Sequence, residues 1–179
     1  IPAIVMDAGG TNLRIGVCSF QSGQAEITDS KVVPMPGTQG ALEKSDFLNQ
    51  LADLVEPLLC KSDCLGLCFS FPAKITKDLD GIAVGFNKEV VVHNSAGMAI
   101  CTELCQTLAD RGMAPPSYAL INDTVAALLG GYGVTEPTAY DGYIGFILGT
   151  GTNCCYTERT DVIQKLSPQT QPVMVINVE

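Results

Sequence analysis

A chain of 179 residues is long enough for one large domain, or for one domain and part of a second, and 46% hydrophobic against 16% charged residues excludes a disordered chain. No apolar run approaches the roughly 18 residues that a membrane helix needs. A net charge of −9 excludes nucleic acid and an anionic membrane as general partners, so a polyanionic ligand must be met by local donors.

The chain opens at Ile1-Pro2, with neither Met nor a signal-peptide pattern, and is expected to be a piece of a longer polypeptide. The apolar run Ile4-Val5-Met6 reads as a strand, and Ile15-Gly16-Val17 as a strand returning from it. Between them lies Asp7-Ala8-Gly9-Gly10-Thr11-Asn12-Leu13-Arg14. Two adjacent glycines leave backbone N–H groups without side-chain cover, so a phosphate can approach them, with Thr11, Asn12 and Arg14 adding donors. Asp7 is then placed to hold a magnesium ion through water. The alternative is an ordinary hairpin closed by Gly-Gly. A Walker loop is excluded because no Gly-Lys-Ser/Thr follows, and a dinucleotide fingerprint because a strand rather than a helix comes next.

Glu26 to Met35 reads as a third strand at an antiparallel edge, ended by Pro34-Met-Pro36-Gly37. Ser45 is the expected cap of a helix with Phe47, Leu48, Leu51, Leu54, Val55, Leu58 and Leu59 on one face, its last turn kinked or shortened by Pro57. Cys64 to Phe69 reads as a buried strand that stops at Ser70-Phe71-Pro72-Ala73. The weak pattern from Lys74 to Val92 suggests a hairpin or excursion around Asp80-Gly81, carrying Phe86-Asn87-Lys88-Glu89. A second helix is expected from Asn94 or Ser95 to Asp110, with Gly112 just past its end.

Tyr118 to Ile121 reads as a strand, with Asn122-Asp123-Thr124 at its end before a small-residue helix from Val125 to Leu129. Polar residues between a buried strand and a helix are where α/β folds keep their sites. Gly142 to Leu148 reads as another buried strand, followed by the turn Gly149 to Asn153 and a returning strand from Cys154 to Tyr156. Eight cysteines without a Cys-x-x-Cys, with His93 the only histidine, argue against zinc and read mostly as small core residues in a reducing cytoplasm.

Two strand, Gly/Thr turn, strand units suggest two halves built alike, each offering a phosphate turn. Asp-x-Gly-Gly-Thr-Asn-x-Arg at Asp7 to Arg14, Ser-Phe-Pro at Ser70 to Pro72, Asn-Asp-Thr-Val at Asn122 to Val125 and Gly-Thr-Gly-x-Asn-x-Cys-Tyr at Gly149 to Tyr156 occur in the order seen in hexokinases. The chain resembles the N-terminal part of a hexokinase catalytic region along nearly its whole length. The related bacterial repressor/open-reading-frame kinases share the Gly-Gly-Thr turn, but their cysteine-rich zinc segment has no counterpart here.

The resemblance implies an α/β fold of the ribonuclease-H-like, actin-like ATPase type, a mixed sheet flanked by helices, with a small lobe over 1–121 and the beginning of a large lobe over 122–179. It implies an ATP-dependent kinase that phosphorylates a hexose, foremost glucose, at the 6-hydroxyl and feeds glycolysis. Asp123 matches the catalytic aspartate, whose alternative reading is a helix N-cap. Gly9, Gly10, Thr11, Asn12 and Arg14 match the phosphate turn, Thr150 and Gly151 face phosphate from the other lobe, and Asp7 orients Mg2+. Ser70, Asn87, Lys88, Asn122, Asp123, Asn153 and Glu179 match the sugar site, with plain loop chemistry as the alternative for Ser70 and Asn87. The family commonly has Thr-Lys-Gly where this chain has Asn87-Lys88-Glu89. His93 matches no catalytic position and is expected to be structural or exposed. A non-catalytic sugar-binding relative is the competing class, which intact Asp7 and Asp123 disfavour. The 179 residues alone are expected to be inactive, and their strands Tyr143 to Leu148 and Val173 to Val178 to lack covering partners.

Overall fold

The computed structural model describes residues 1–21, 24–86, 89–134, 140–149, 151–165 and 171–178. The chain divides into two compact units, Ile1–Ile121 and Asn122–Glu179.

The first unit is built on a five-stranded sheet. Strand β1 (Ala3–Ala8) alternates buried and half-buried residues, and returns antiparallel as β2 (Asn12–Gln21), which β3 (Gln24–Pro34) follows at the sheet edge. A short β4 (Leu42–Glu43) leads into α1 (Lys44–Val55). Strand β5 (Cys64–Phe69) then lies parallel to β1 on its other side. Beyond it, β6 (Ala73–Ile75) and β7 (Gly81–Ala83) form a hairpin, β8 (Val92–His93) pairs with β4, α2 (Ile100–Asp110) follows, and β9 (Ser117–Asn122) completes the sheet order β3-β2-β1-β5-β9. Ile4, Met6, Leu13, Ile15, Leu65 and Leu67 from the sheet share one core with Phe47, Leu51 and Val55 of α1 and Ile100, Leu104 and Leu108 of α2.

The apolar spacing places both helices correctly but not their starts. Ser45 does not cap α1: the helix begins at Lys44 behind an extended Glu43 that makes no side-chain cap. Glu43 is committed elsewhere, since its backbone pairs with β8 and its carboxylate accepts the Asn94 amide at 3.1 Å. Pro57 ends α1 at Val55, with Glu56–Leu58 continuing as a single 3-10 turn.

Helix α2 starts at Ile100, not at Asn94 or Ser95. Asn94 adopts a left-handed φ of 57°, and the Ser95 hydroxyl donates to the Val92 carbonyl at 2.8 Å, so both residues form a turn. The helix is capped from a distance instead. Its N-cap residue, Ala99, has no side-chain oxygen, and buried Asp80 accepts the N–H groups of Cys101 at 2.8 Å and Thr102 at 2.9 Å, the Thr102 hydroxyl at 2.6 Å and its neighbour Gly81 N–H at 2.7 Å. Burial works against the Asp80 charge, but these four bonds outweigh it and hold the carboxyl below its ordinary range. Burial and the Asp80 charge push the Cys101 thiol far above its ordinary range. At the other end, Gly112 at φ 80° lets its N–H reach the Ala109 carbonyl and the Met113 N–H reach Leu108, closing α2 as the sequence predicts. Arg111 fastens this end to α1 through Asp53 at 2.8 Å, Glu56 at 3.1 Å and Asn49.

The second unit packs α3 (Asp123–Val134) on a three-stranded antiparallel sheet of β10 (Ile144–Leu148), β11 (Thr152–Arg159) and β12 (Val173–Asn177). Helix α3 runs well past the expected Leu129. Strand β10 is not buried as its apolar composition suggests. Gly145 faces inward, while Ile144, Phe146 and Leu148 are exposed, because α3 covers one face of this sheet. The cysteines also divide: Cys101 and Cys155 are core residues, Cys60 is exposed and the other five lie between. His93 is exposed. Among the described residues, no helix is long and apolar enough to cross a membrane.

Candidate active site

The first unit gathers six of the predicted residues at the β1–β2 turn. The Gly9 N–H donates to the Asn12 carbonyl at 3.1 Å, and a Cβ on Gly9 would stand a tight 3.1 Å from that same oxygen, which favours glycine there. Gly9 therefore serves as the fastening of the turn, and its N–H is not one of the open donors that the sequence suggests. The Met35 N–H donates to the Thr11 carbonyl at 2.9 Å and ties the loop to the end of β3. Among the described residues, no hydrogen bond occupies the N–H of Gly10 or Thr11, so these two are the open backbone donors. Asp7 and Arg14 are directly opposed across the strand pair, with Arg14 Nη1 3.1 Å from Asp7 Oδ2. Both side chains are half exposed, and Asp7 lies on the sheet face away from the core.

Ser70 comes to the same end of the sheet. Its N–H donates to the Ala8 carbonyl at 3.2 Å, one residue before Gly9. Its neighbours Phe69 and Phe71 pack with Phe86, at ring-centroid distances of 5.9 and 4.9 Å, and Phe86 also meets Phe47 of α1 at 5.1 Å. The Val84 N–H donates to the Pro72 carbonyl at 2.9 Å. The loop after β5 and the segment after β7 are thus held as one piece by aromatic edges and a backbone bond. Asn87 and Lys88, which follow Phe86, lie outside the described residues, as do Thr150 and Glu179.

In the second unit, Asn122 and Asp123 are half-buried at the start of α3. The Thr124 N–H donates to Asp123 Oδ1 at 2.8 Å and to Asn122 Oδ1 at 3.0 Å, and the buried Thr124 hydroxyl donates to Asn122 Oδ1 as well. Asp123 Oδ2 has no partner among the described residues. This first turn rests on Gly145 of β10. A Cβ there would meet the Thr124 carbonyl oxygen at 2.3 Å, Cys155 Sγ at 2.9 Å and Leu128 Cβ at 3.0 Å. The turn between β10 and β11 closes with the Gly149 N–H donating to the Gly151 carbonyl at 2.9 Å. Asn153 follows on β11, half-buried opposite Ile147.

Sequence reasoning missed Thr124, Gly145, Asp80 and Phe86 as supports of these groups. Thr124 had a local signal, since an Asx followed two residues later by a hydroxyl residue is a helix-start pattern. The others act through contacts between segments distant in the chain.

Comparison with known proteins bears on what these groups are. A family model described as hexokinase matches residues 3–132, and a second model, also described as hexokinase, matches residues 143–179. The chain belongs to the hexokinase family. This hexokinase chain is 31% identical over 193 residues to Hexokinase-1 of Nicotiana tabacum, covering 97% of itself and 37% of that protein. It is 29% identical over 209 residues to a glucokinase of Aspergillus niger, covering 98% of itself and 42% of that protein. It therefore spans about two fifths of the length of these relatives. Among solved structures it resembles a hexokinase from Schistosoma mansoni complexed with glucose, with a TM-score of 0.82 and 24% identity over 99% of this chain and 40% of that one. A ROK hexokinase from Thermus thermophilus shares the fold at a TM-score of 0.62 and 18% identity over 87% of this chain and 46% of that one. The fold is that of the actin-like ATPases and sugar kinases, as the motifs imply.

Proposed function

We propose that the protein carrying this hexokinase chain transfers the γ-phosphoryl group of ATP to the 6-hydroxyl of a hexose, foremost glucose, and supplies glycolysis from the cytoplasm. The observation that carries this reading is Asp123, placed at the start of α3 with Oδ1 held by the Thr124 N–H and Oδ2 open, in a chain of this family. In the reaction the hydroxyl oxygen bonds to the γ-phosphorus, the bond to the β,γ-bridging oxygen breaks, ADP leaves and the hydroxyl proton passes to Asp123.

The Gly10 and Thr11 N–H groups with the Thr11, Asn12 and Arg14 side chains form the phosphate cradle, and Gly151 belongs with Thr150 to a second one. Asp7 suits magnesium held through water, being a half-exposed carboxylate at the base of the turn whose present counter-charge, Arg14, is itself more exposed still. Magnesium would supply charge neutralisation between the β- and γ-phosphates. Ser70, Asn122 and Asn153 offer hydroxyl and amide partners to the ring hydroxyls of the sugar, together with Asn87, Lys88 and Glu179. Residues 1–121 correspond in this reading to the small lobe and 122–179 to the beginning of the large one.

The test is ADP release by the purified protein with ATP, magnesium and a panel of hexoses. Hexose-dependent release that Asp123→Asn reduces by at least about 10²-fold supports the reading. Calorimetric binding of a hexose without any ADP release would assign the protein to the non-catalytic sugar binders instead.

A further inference from the structure

The start of α3 carries one residue that touches both candidate substrate-binding groups yet is itself fully buried. Thr124 offers two donors: its N–H is shared between Asn122 Oδ1 at 3.0 Å and Asp123 Oδ1 at 2.8 Å, and its hydroxyl also donates to Asn122 Oδ1. A backbone N–H can only donate, so the Asn122 atom facing it must be the carbonyl oxygen of the amide. The other arm of the same planar amide is then its NH2, which can only donate. An amide held in this sense presents donors and no acceptor to whatever binds beside it.

We propose that Thr124 is a positioning residue which sets the Asn122 amide in one orientation, so that a hexose hydroxyl is recognised at Asn122 as an acceptor. The inference rests on the hexose-kinase reading and deepens it. Without the hydroxyl, the amide keeps one weak, shared N–H as its guide, and rotation about its last torsion becomes available, which exchanges donor for acceptor. Gly145 is part of the same device, because only a residue without Cβ lets the Thr124 carbonyl approach β10 closely enough to seat this turn. Asp123 is held through the Thr124 backbone N–H, which valine or serine at this position keeps, so the proton-accepting group should be indifferent to loss of the hydroxyl.

Thr124→Val, similar in size and lacking only the hydrogen-bonding group, is the primary variant, and Thr124→Ser restores the hydroxyl. Steady-state kinetics with varied glucose and varied ATP, glucose titration calorimetry without nucleotide, and thermal unfolding are measured on wild type and both variants. The expected result is a rise of about three- to tenfold in both glucose KM and glucose Kd for Thr124→Val, the range one lost hydrogen bond allows. The ATP KM, kcat and the pH profile of kcat should stay within about twofold of wild type, and Thr124→Ser should return glucose binding to within the same margin. A Thr124→Val protein with unchanged glucose Kd overturns the proposal. So does one in which glucose KM, ATP KM and kcat worsen together as the melting temperature falls, since that marks a helix cap with no part in recognition. If wild type neither binds nor turns over any hexose, the kinase reading fails first and the proposal falls with it.

Discussion

Removal of the Asp80 carboxylate should be among the most damaging single changes outside the candidate active site. Asp80→Ala strips the acceptor from four donors: the N–H groups of Gly81, Cys101 and Thr102 and the Thr102 hydroxyl. Loss of a helix cap costs about 1–2 kcal/mol. Each of the two buried donors, Gly81 N–H and Cys101 N–H, left without an acceptor adds about 1–3 kcal/mol, the lower figure applying if water enters the space. A total of about 3–8 kcal/mol follows, which in a folded chain of this length lowers the melting temperature by roughly 6–32 °C. Asp80→Asn should cost less but not little, because the amide keeps an oxygen for Gly81 and Cys101 while turning an NH2 toward the Thr102 N–H.

The pH dependence has a definite sign. The folded state holds the Asp80 carboxyl below its ordinary value of 3.8, so its contribution is complete above that pH and is lost as pH falls through the lower folded value. The stability gap between wild type and Asp80→Asn should therefore be widest near neutrality and close as pH drops below about 4. Urea unfolding of wild type, Asp80→Ala and Asp80→Asn at pH 7, 5 and 3 measures both quantities. A loss under about 1 kcal/mol for Asp80→Ala at pH 7, or a gap that does not change with pH, would refute the capping argument.

Asp123→Asn should leave the melting temperature close to that of wild type and change glucose Kd much less than kcat, which falls by at least about 10²-fold, as calorimetry and coupled ADP release would show. Gly145→Ala forces a Cβ to within 2.3 Å of the Thr124 carbonyl, so it should cost at least about 2 kcal/mol in urea unfolding and weaken glucose binding as well. Arg111→Met removes the ties to Asp53, Glu56 and Asn49 and should cost about 1–2 kcal/mol, a loss that shrinks when thermal unfolding is repeated in 1 M salt.

What the sequence determined by itself was whatever depends on residues close together in the chain. The Asp7 to Arg14 turn follows from two apolar runs and adjacent glycines, and the bodies of α1 and α2 from apolar residues recurring at helical spacing. The stop of α2 follows from a single glycine able to adopt positive φ. Asn122-Asp123 at the junction of β9 and α3 was legible for the same reason. Tertiary structure decided the rest. Helix α2 begins at Ile100 because the acceptor for its first N–H groups is Asp80, some twenty residues earlier in the chain, which no window of neighbours can reveal. Ser45 is left uncapping because Glu43 is drawn into pairing with β8. Strand β10 has an apolar sequence yet is half exposed, because burial depends on what lies across a face, and in this unit α3 covers only one. The candidate site divides along the same line: its reactive groups stand in short motifs, whereas the contacts that aim them, from Gly145 under Thr124 to Phe86 against Phe69 and Phe71, join segments that only folding brings together.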